Sequence, residues 1–557
     1  MMKRKTWMLA AMLTLTGAQM QAGGKSEAVA RFDYVAYEGN DDYYRENPLA
    51  GDEEFYNPVV PGWASDPSVC RVGNDYYLVT STFTYFPGVP LYHSTDLVNW
   101  EHVGNILNRP SQLAHLEGQR MNDGGIYAPT IRYNPRNETF YMVTTDVGWA
   151  NFYVTAKDPL GDWSDPVELP AVNGIDPSFF FDDDGQAYIV HKEDVTGQPK
   201  WNNHRAIRII RFDTATGQTV GESVPLCEEG VGDNERLDRD EGPHLYKING
   251  KYYLTCAEGG TGAFHSEVVY RADSVFGPYT RWSRNPMLTQ RGLKANRTNP
   301  TTCTGHTDLV EDRNGNWQAV FLGCRAYQGK AAPLGRETFM MPVRWSKDGY
   351  PFLTQSIDTV PYVLAIEGAK RKAGTRNGNF GWRDDFKGRT LSCEWLSPAG
   401  SPAAFCKLKD GLQLTCSDTR IEDHKAAAYL GRRLQHLKYA IETRVNFSPS
   451  DNEAKAGLLL LRNEQHQYYL CKERGAVTLY RIGKRQDRVA STPYADASVE
   501  LRAVSRGLTI DFYYRPVAKR GAAAAEWTLL SEGNDAAFLS TGGGFIGATA
   551  GVYAVKR

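Results

Sequence analysis

Along most of the chain, apolar positions alternate with polar ones in runs of four to eight residues, broken by clusters of Gly, Asn and Asp. That pattern predicts short, half-buried strands rather than helices. One phrase returns five times: DPSVCRVGNDYYLVTST from Asp66, APTIRYNPRNETFYMVTTD from Ala128, DPSFFFDDDGQAYIVHK from Asp176, EGPHLYKINGKYYLTCAE from Glu241 and GHTDLVEDRNGNWQAVFLG from Gly305. Each copy opens on a small or polar residue, commonly before Pro, then runs through strand formers, turns, and returns through an aromatic-rich strand. Its turn chemistry and period are those of a β-hairpin. A second phrase trails each hairpin, as in LYHSTDLVNWEHVG from Leu91 and PVRWSKDGYPFL from Pro342, and adds a second hairpin. Two hairpins make a four-stranded sheet. The openings Asp66, Ala128, Asp176, Glu241 and His306 are 62, 48, 65 and 65 residues apart, longer than the commonest propeller repeat of about 40 to 50, which enlarged loops accommodate. Radial repetition of such sheets predicts a five-bladed β-propeller. An open sandwich would supply the strands but not the ordered recurrence of both phrases.

After Leu353 the blade phrases stop. Residues 367–381, EGAKRKAGTRNGNFG, read as a basic, Gly-rich connector. Beyond it YAIETRVNF, AGLLLLRN, QYYLCKE, VTLYRI and LTIDFYYRP alternate evenly with polar turns, the pattern of a β-sandwich. The predicted fold is therefore all-β. A lead-in over 23–54 precedes a propeller over 55–366, a linker over 367–381 and a sandwich over 382–557.

The first 22 residues depart from this pattern. Lys3, Arg4 and Lys5 precede an apolar stretch of about a dozen residues that ends in small residues at Ala22. This is the layout of an export signal, too short for a membrane span of about 20 residues. Cleavage there takes the formal charge from -2 to -5, so the expected protein is exported, periplasmic or extracellular, with no membrane insertion. So small a charge also argues against nucleic acid as a partner. Nine cysteines with no C-x-x-C pair make a zinc site or a full disulfide framework improbable, and buried thiols are expected. The acidic run at Asp182 reads as a solvated turn rather than a calcium loop.

In a propeller the first strand of each blade lines the central channel, so the openings converge at one end of the axis. Three carboxylates, Asp66, Asp176 and Glu241, and His306 are thereby predicted to meet. Convergent carboxylates suit glycoside hydrolysis, in which one carboxyl protonates the leaving oxygen and another activates water or attacks carbon. A third acid nearby would raise the pKa of the donor by like-charge repulsion. Position does not distinguish the roles.

The motifs WASDPSV, STFTYFPGVPLYHSTDLVNW, SQL, GGIYAPTIRY, GIDPSFF, DEGPHLYK, CTGHTDLV and LGRETFMMPV, in this order, resemble the β-xylosidases and α-L-arabinofuranosidases of glycoside hydrolase family 43. The resemblance implies an exo-acting, inverting hydrolase that removes terminal pentoses from arabinoxylan-type oligosaccharides. Its roles would be Asp66 as general base, Asp176 as pKa modulator and Glu241 as general acid. No cofactor is required for the chemistry. His306 resembles a histidine beneath the active site that in some members also holds a calcium ion through water, and Arg336 an arginine that binds sugar hydroxyls. Phe83 and Phe86 resemble residues walling the sugar pocket. The family motif usually carries Trp where Tyr127 stands, so this platform is smaller and bears a hydroxyl. DDFKGRTLSCEW and the closing GGGFIGATAGVYA resemble the concanavalin-like domain that follows such propellers; a loop from it reaches the pocket in related enzymes, with Phe545 as the candidate here. The alternatives are a propeller that binds carbohydrate without turnover and a retaining, fructan-type hydrolase.

Overall fold

The structure is a computed structural model that describes residues 28–194, 205–227, 240–294, 297–327, 332–540 and 545–557. The export signal read at residues 1–22 lies outside them. Among the described residues no helix is long and apolar enough to cross a membrane.

Three blades are regular four-stranded antiparallel sheets. Blade one comprises Ser68–Val72, Asp75–Val79, Gly88–Ser94 and Glu101–Leu107. Blade two comprises Ile126–Asn134, Thr139–Asp146, Asn151–Ala156 and Val167–Glu168. Blade three comprises Ile175–Phe181, Ala187–Asp194, Arg205–Asp213 and Gln218–Cys227. Blade four begins at Glu241–Ile248 and carries a short extra strand, Leu288–Thr289. The first strands of successive blades touch in a closed ring. Because successive strand residues face opposite sides, each sheet feeds two interblade wedges. Phe179 packs toward Tyr141 and Val143 of blade two, while Phe180 packs toward Leu245 and Leu254 of blade four.

Blade five departs from the four-strand expectation. Its sheet holds Thr301–Glu311, Trp317–Arg325 and Glu337–Pro342, and the phrase after Pro342 forms a separate hairpin, Arg344–Trp345 with Pro351–Phe352. The open edge of Glu337–Pro342 is taken by the chain ahead of blade one: Val60 and Thr338 exchange backbone hydrogen bonds at 3.2 and 3.3 Å. The last blade is thus completed from the first one's side. An exposed edge is removed and the ring is closed.

The sandwich stacks an eight-stranded sheet on a six-stranded one. Its larger sheet incorporates residues from the lead-in: Val29–Gly39 pairs with Lys438–Asn446 on one side and with Leu412–Thr415 and Gly381–Asp384 on the other. Local pattern leaves this segment in a lead-in apart from the sandwich, because its partners, between Gly381 and Asn446, lie far along the chain. A buried ion cluster joins the same seam, where Arg325 of blade five donates to Glu337 and to Tyr44 Oη while lying 3.4 Å from Asp41. All nine cysteines are free. Asp182 is buried rather than solvated, because Lys247 and Tyr252 of the next blade both donate to it.

At the axis all five blades meet around Asp308. Its carboxylate accepts from Ser68 Oγ and the Val69 amide of blade one, twice from Arg132 of blade two, and from Tyr246 of blade four, at 2.7 to 2.9 Å. Arg132 also bonds His244, which bonds Ser178 of blade three. Burial alone would raise the Asp308 pKa, but Arg132 and the other donors hold it well below the usual carboxylate range. A depressed folded pKa contributes stability above the unfolded value of about 4, which is lost as the pH falls through the folded value. Asp308→Asn leaves Arg132 buried without a counter-charge, and the expected cost at neutral pH is about 3 to 5 kcal/mol. Urea unfolding of the variant should show that loss; an unchanged midpoint would remove Asp308 from this role.

Candidate active site

Each blade's first strand enters through the same backbone device. Asp66, Ala128, Asp176, Gly242 and His306 all have left-handed φ, between 38° and 56°. In blades two to five the ladder slips there, at Tyr127/Thr130, Ile175/Ser178, Glu241/His244 and Gly305/Asp308. The next residue is Pro in four of the five, tolerated because it need not donate where the ladder is already interrupted. Four of the five left-handed residues are not Gly, and such conformations persist only where their surroundings over-determine them.

This device corrects the register read from the sequence. The fourth counterpart of Asp66, Asp176 and His306 is Gly242, not Glu241. Glu241 stands one position earlier, equivalent to Ser65 and Tyr127. Gly242 is required where it is, since a β-carbon there would lie 2.7 to 2.9 Å from the His306 ring. The acids therefore reach the axis in two ways. Asp66 and Asp176 occupy the bulge position, and Glu241 comes from the residue before it.

Asp66 accepts from Ser81 Oγ at 2.6 Å, and the same Oγ accepts from the Ala128 amide at 2.7 Å. His306 Nδ1 and an Arg336 guanidinium nitrogen lie 3.7 and 3.6 Å from the Asp66 carboxylate. Asp176 accepts from the Gly242 amide at 3.0 Å. Its own amide donates to Thr145 Oγ1 at 3.2 Å. Glu241 accepts from Lys192 Nζ at 2.9 Å. Lys192 sits in blade three opposite Ile175, next to Asp176.

Burial, with added repulsion from Glu241 and Asp66, pushes the Asp176 carboxyl up to about 6, against opposing pulls from His306 and Lys192. Burial also raises Glu241, but the charge and hydrogen bond of Lys192, together with His265 and His306, outweigh it, and the net shift is downward. The raised pKa thus belongs to Asp176, not to Glu241. The sequence-level expectation of a donor held protonated by a third acid left Lys192 out. His265, pushed down to about 4 by burial, lies within electrostatic reach of Glu241 and Arg336.

The pocket wall joins both domains. Phe83, half-buried Tyr127 and Phe545 form an aromatic triad with ring centroids 5.6 to 6.0 Å apart. The Arg336 guanidinium lies 4.6 Å from the Phe545 ring centroid. Phe545, from the sandwich, is held by its amide donating to Asn122 O and by Ser65 Oγ donating to its carbonyl, each at 3.1 Å. The two loops approach closely because Gly335 and Gly547 meet backbone to backbone. A β-carbon on either would lie 2.6 Å or less from the other loop. Tyr127 spends its hydroxyl on Asp123 O at 2.7 Å. Phe86 is elsewhere: it is buried among Val89, Leu107 and Leu113 in the wedge between blades one and two, and pairs with Ser397. Lys192, Ser81 and His265 are additional site residues. Lys192 ends the third repeat phrase, but one Lys at a strand end carries no signal without the neighbouring blade.

A water-held calcium at His306 does not fit the residues beneath it. The Arg132 guanidinium already bonds both Asp308 oxygens and His244 Nδ1, so the groups that would face a cation are taken by one. Among the described residues no three His, Cys, Asp or Glu side chains are grouped to hold a metal.

Gly242→Ala should push the His306 ring away from Asp66 and lower turnover about 100-fold, the scale of an ångström misplacement. Steady-state kinetics beside circular dichroism test this, and wild-type turnover in a folded variant would contradict it.

Comparison with known proteins agrees with this geometry. Residues 55–351 match the model for glycosyl hydrolases family 43, and residues 383–557 match the beta xylosidase C-terminal concanavalin A-like domain. The non-reducing end alpha-L-arabinofuranosidase BoGH43B of Bacteroides ovatus is 36% identical over 80% of this chain and 81% of its own length. A xylosidase/arabinosidase of Butyrivibrio fibrisolvens is 35% identical over 89% of this chain and 95% of its own. A crystal structure of a GH43_12 retrieved from a capybara gut metagenome superposes with a TM-score of 0.87 at 38% identity, covering 95% of this chain and all of that one. With a propeller and a sandwich each matched over its length, and two buried acids and a half-buried one brought together on the propeller axis, the chain belongs to glycosyl hydrolases family 43 and is a glycoside hydrolase.

Proposed function

We propose that the enzyme is exported and releases terminal pentosyl residues, α-L-arabinofuranosyl or β-D-xylosyl, from arabinoxylan-type oligosaccharides with inversion. The observation that carries this reading is a set of three carboxylates, Asp66, Asp176 and Glu241, gathered beside Arg336 and an aromatic wall, with surroundings that raise the pKa of Asp176 and lower that of Glu241. The names of the relatives support the pentose. An uncharged sugar suits a pocket whose one nearby guanidinium can donate several hydrogen bonds to hydroxyls.

Glu241, protonated, gives its proton to the glycosidic oxygen as the bond to the anomeric carbon breaks. Asp66, ionised, takes a proton from the water that attacks the opposite face, leaving Asp66 protonated and Glu241 ionised until solvent resets both. Ser81, His306 and Arg336 surround Asp66 and hold it in orientation. Asp176 and Glu241 compete for a proton, and at bond cleavage it must reside on Glu241. The Lys192 contact opposes that, so substrate entry has to weaken it. Phe545, Phe83 and Tyr127 exclude water from one side of the sugar.

Asp66→Asn and Glu241→Gln should each lower kcat by at least about three orders of magnitude with folding intact. Assay on nitrophenyl α-L-arabinofuranoside and nitrophenyl β-D-xyloside, with proton NMR of the first-formed anomer, tests substrate and stereochemistry together. Full activity in either variant, or a first product of retained configuration, would sink the proposal.

Lys192→Met removes the cation that lowers Glu241, so the Glu241 pKa rises. An acid that must be protonated then works to higher pH, and the alkaline limb of kcat/KM should move up by about one unit or more. A limb that stays put, or moves down, contradicts the pairing of acid and lysine.

A further inference from the structure

A second cleft, of about 570 Å³, lies where blade one, the 367–381 connector and the sandwich meet. It shares no lining residue with the acids or the aromatic wall. Four fixed cations line it, Lys372, Arg376, Arg432 and Arg433, against two carboxylates, Glu101 and Glu394. Glu394 is already divided between Arg376 and Arg432. Lys372 has Asp96 at 3.9 Å. Of the two histidines, His93 pairs with Asp75 at 2.7 Å. His102 is held neutral, pushed down to about 3 by burial and by Arg433.

Arg433 is the unexplained group. Only 9% of its surface is exposed. Its guanidinium lies 4.2 Å from the Trp63 ring centroid, and its Nε and one terminal nitrogen have no acceptor. Trp100 Nε1, in the same lining, has none either. Burying a cation without an anion is costly. These unmet groups are donors enclosed behind the lining, and the cations of the lining outnumber its carboxylates, so a ligand that fits the cleft is rich in acceptors. A neutral sugar brings a donor with nearly every acceptor, whereas a planar guanidinium matches a carboxylate or phosphate with two parallel bonds. The volume exceeds what a bare ion fills. Ligand sites are common at domain junctions.

We infer that this cleft binds an oxyanion, a carboxylate or phosphate group, distinct from the sugar substrate of the catalytic pocket. Two sources supply that chemistry, an acidic sugar and free phosphate.

Calorimetric titration of the full chain with sodium glucuronate, inorganic phosphate and glucose, at fixed ionic strength, tests it. The expected result is saturable binding of glucuronate or phosphate, weakened about tenfold or more in Arg433→Gln and in Arg376→Gln. Glucose heats should not respond to either variant. Glucuronate alone identifies an acidic sugar as the source, and phosphate alone or in competition identifies the free ion. Arg376 is more than one-third exposed at its side chain, so its variant keeps the test decisive if Arg433→Gln does not fold. Absence of saturable binding by both anions, or binding unchanged in Arg376→Gln, overturns the inference.

Discussion

Five sheets radiating from one axis need something at the axis to hold them, and here it is the Asp308 carboxylate. Blades one, two and four bond it directly, blade three reaches it through His244, and blade five supplies it. A carboxylate with two oxygens and that many donors is satisfied by geometry that no single blade provides. Its charge in turn balances that of Arg132, which is buried beneath the catalytic end. The same pair lies beneath His306, whose ring centroid is 6.5 Å from that of His244, so the plug that unites the ring also sets the floor of the site.

Above that floor, bulges do the positioning. A left-handed residue at the start of each first strand interrupts the ladder, and at Asp66, Asp176 and His306 it turns a side chain toward the pocket. Strain is thus concentrated at Asp66, Asp176 and His306, where neighbouring blades hold it through Ser81, the Gly242 amide and the Gly242–His306 approach. The electrostatics follow from the same crowding. Two acids buried together cannot both ionise cheaply, and Lys192 decides which of them does.

The seam between the domains completes both cavities. Phe545 crosses from the sandwich to the Arg336 guanidinium, and the 367–381 connector, pinned by Arg371 to Asp52 and by Asn377 to Tyr56, closes the cationic cleft. With Val29–Gly39 embedded in the sandwich before the chain enters the propeller, the two domains are joined by two chain passages. This explains how one aromatic side chain can be held accurately across their junction.

Much of this was legible in the residues themselves. Hairpin turn chemistry and period-two alternation are local, so the all-β class, the five repeats and the sandwich follow from sequence, as does the gathering of Asp66, Asp176, His306 and Glu241 at the repeat openings. What local pattern did not carry was decided by contacts between segments far apart in the chain. A one-residue bulge places Gly242 rather than Glu241 in register. Ring closure borrows Val60 for blade five, and the wedge between blades one and two buries Phe86 away from the sugar pocket. Lys192 gains its influence only because blade three sets it against Glu241 of blade four. Strand propensity is a property of neighbours in sequence, whereas the ionisation of a buried acid is a property of neighbours in space, and only the folded chain brings those together.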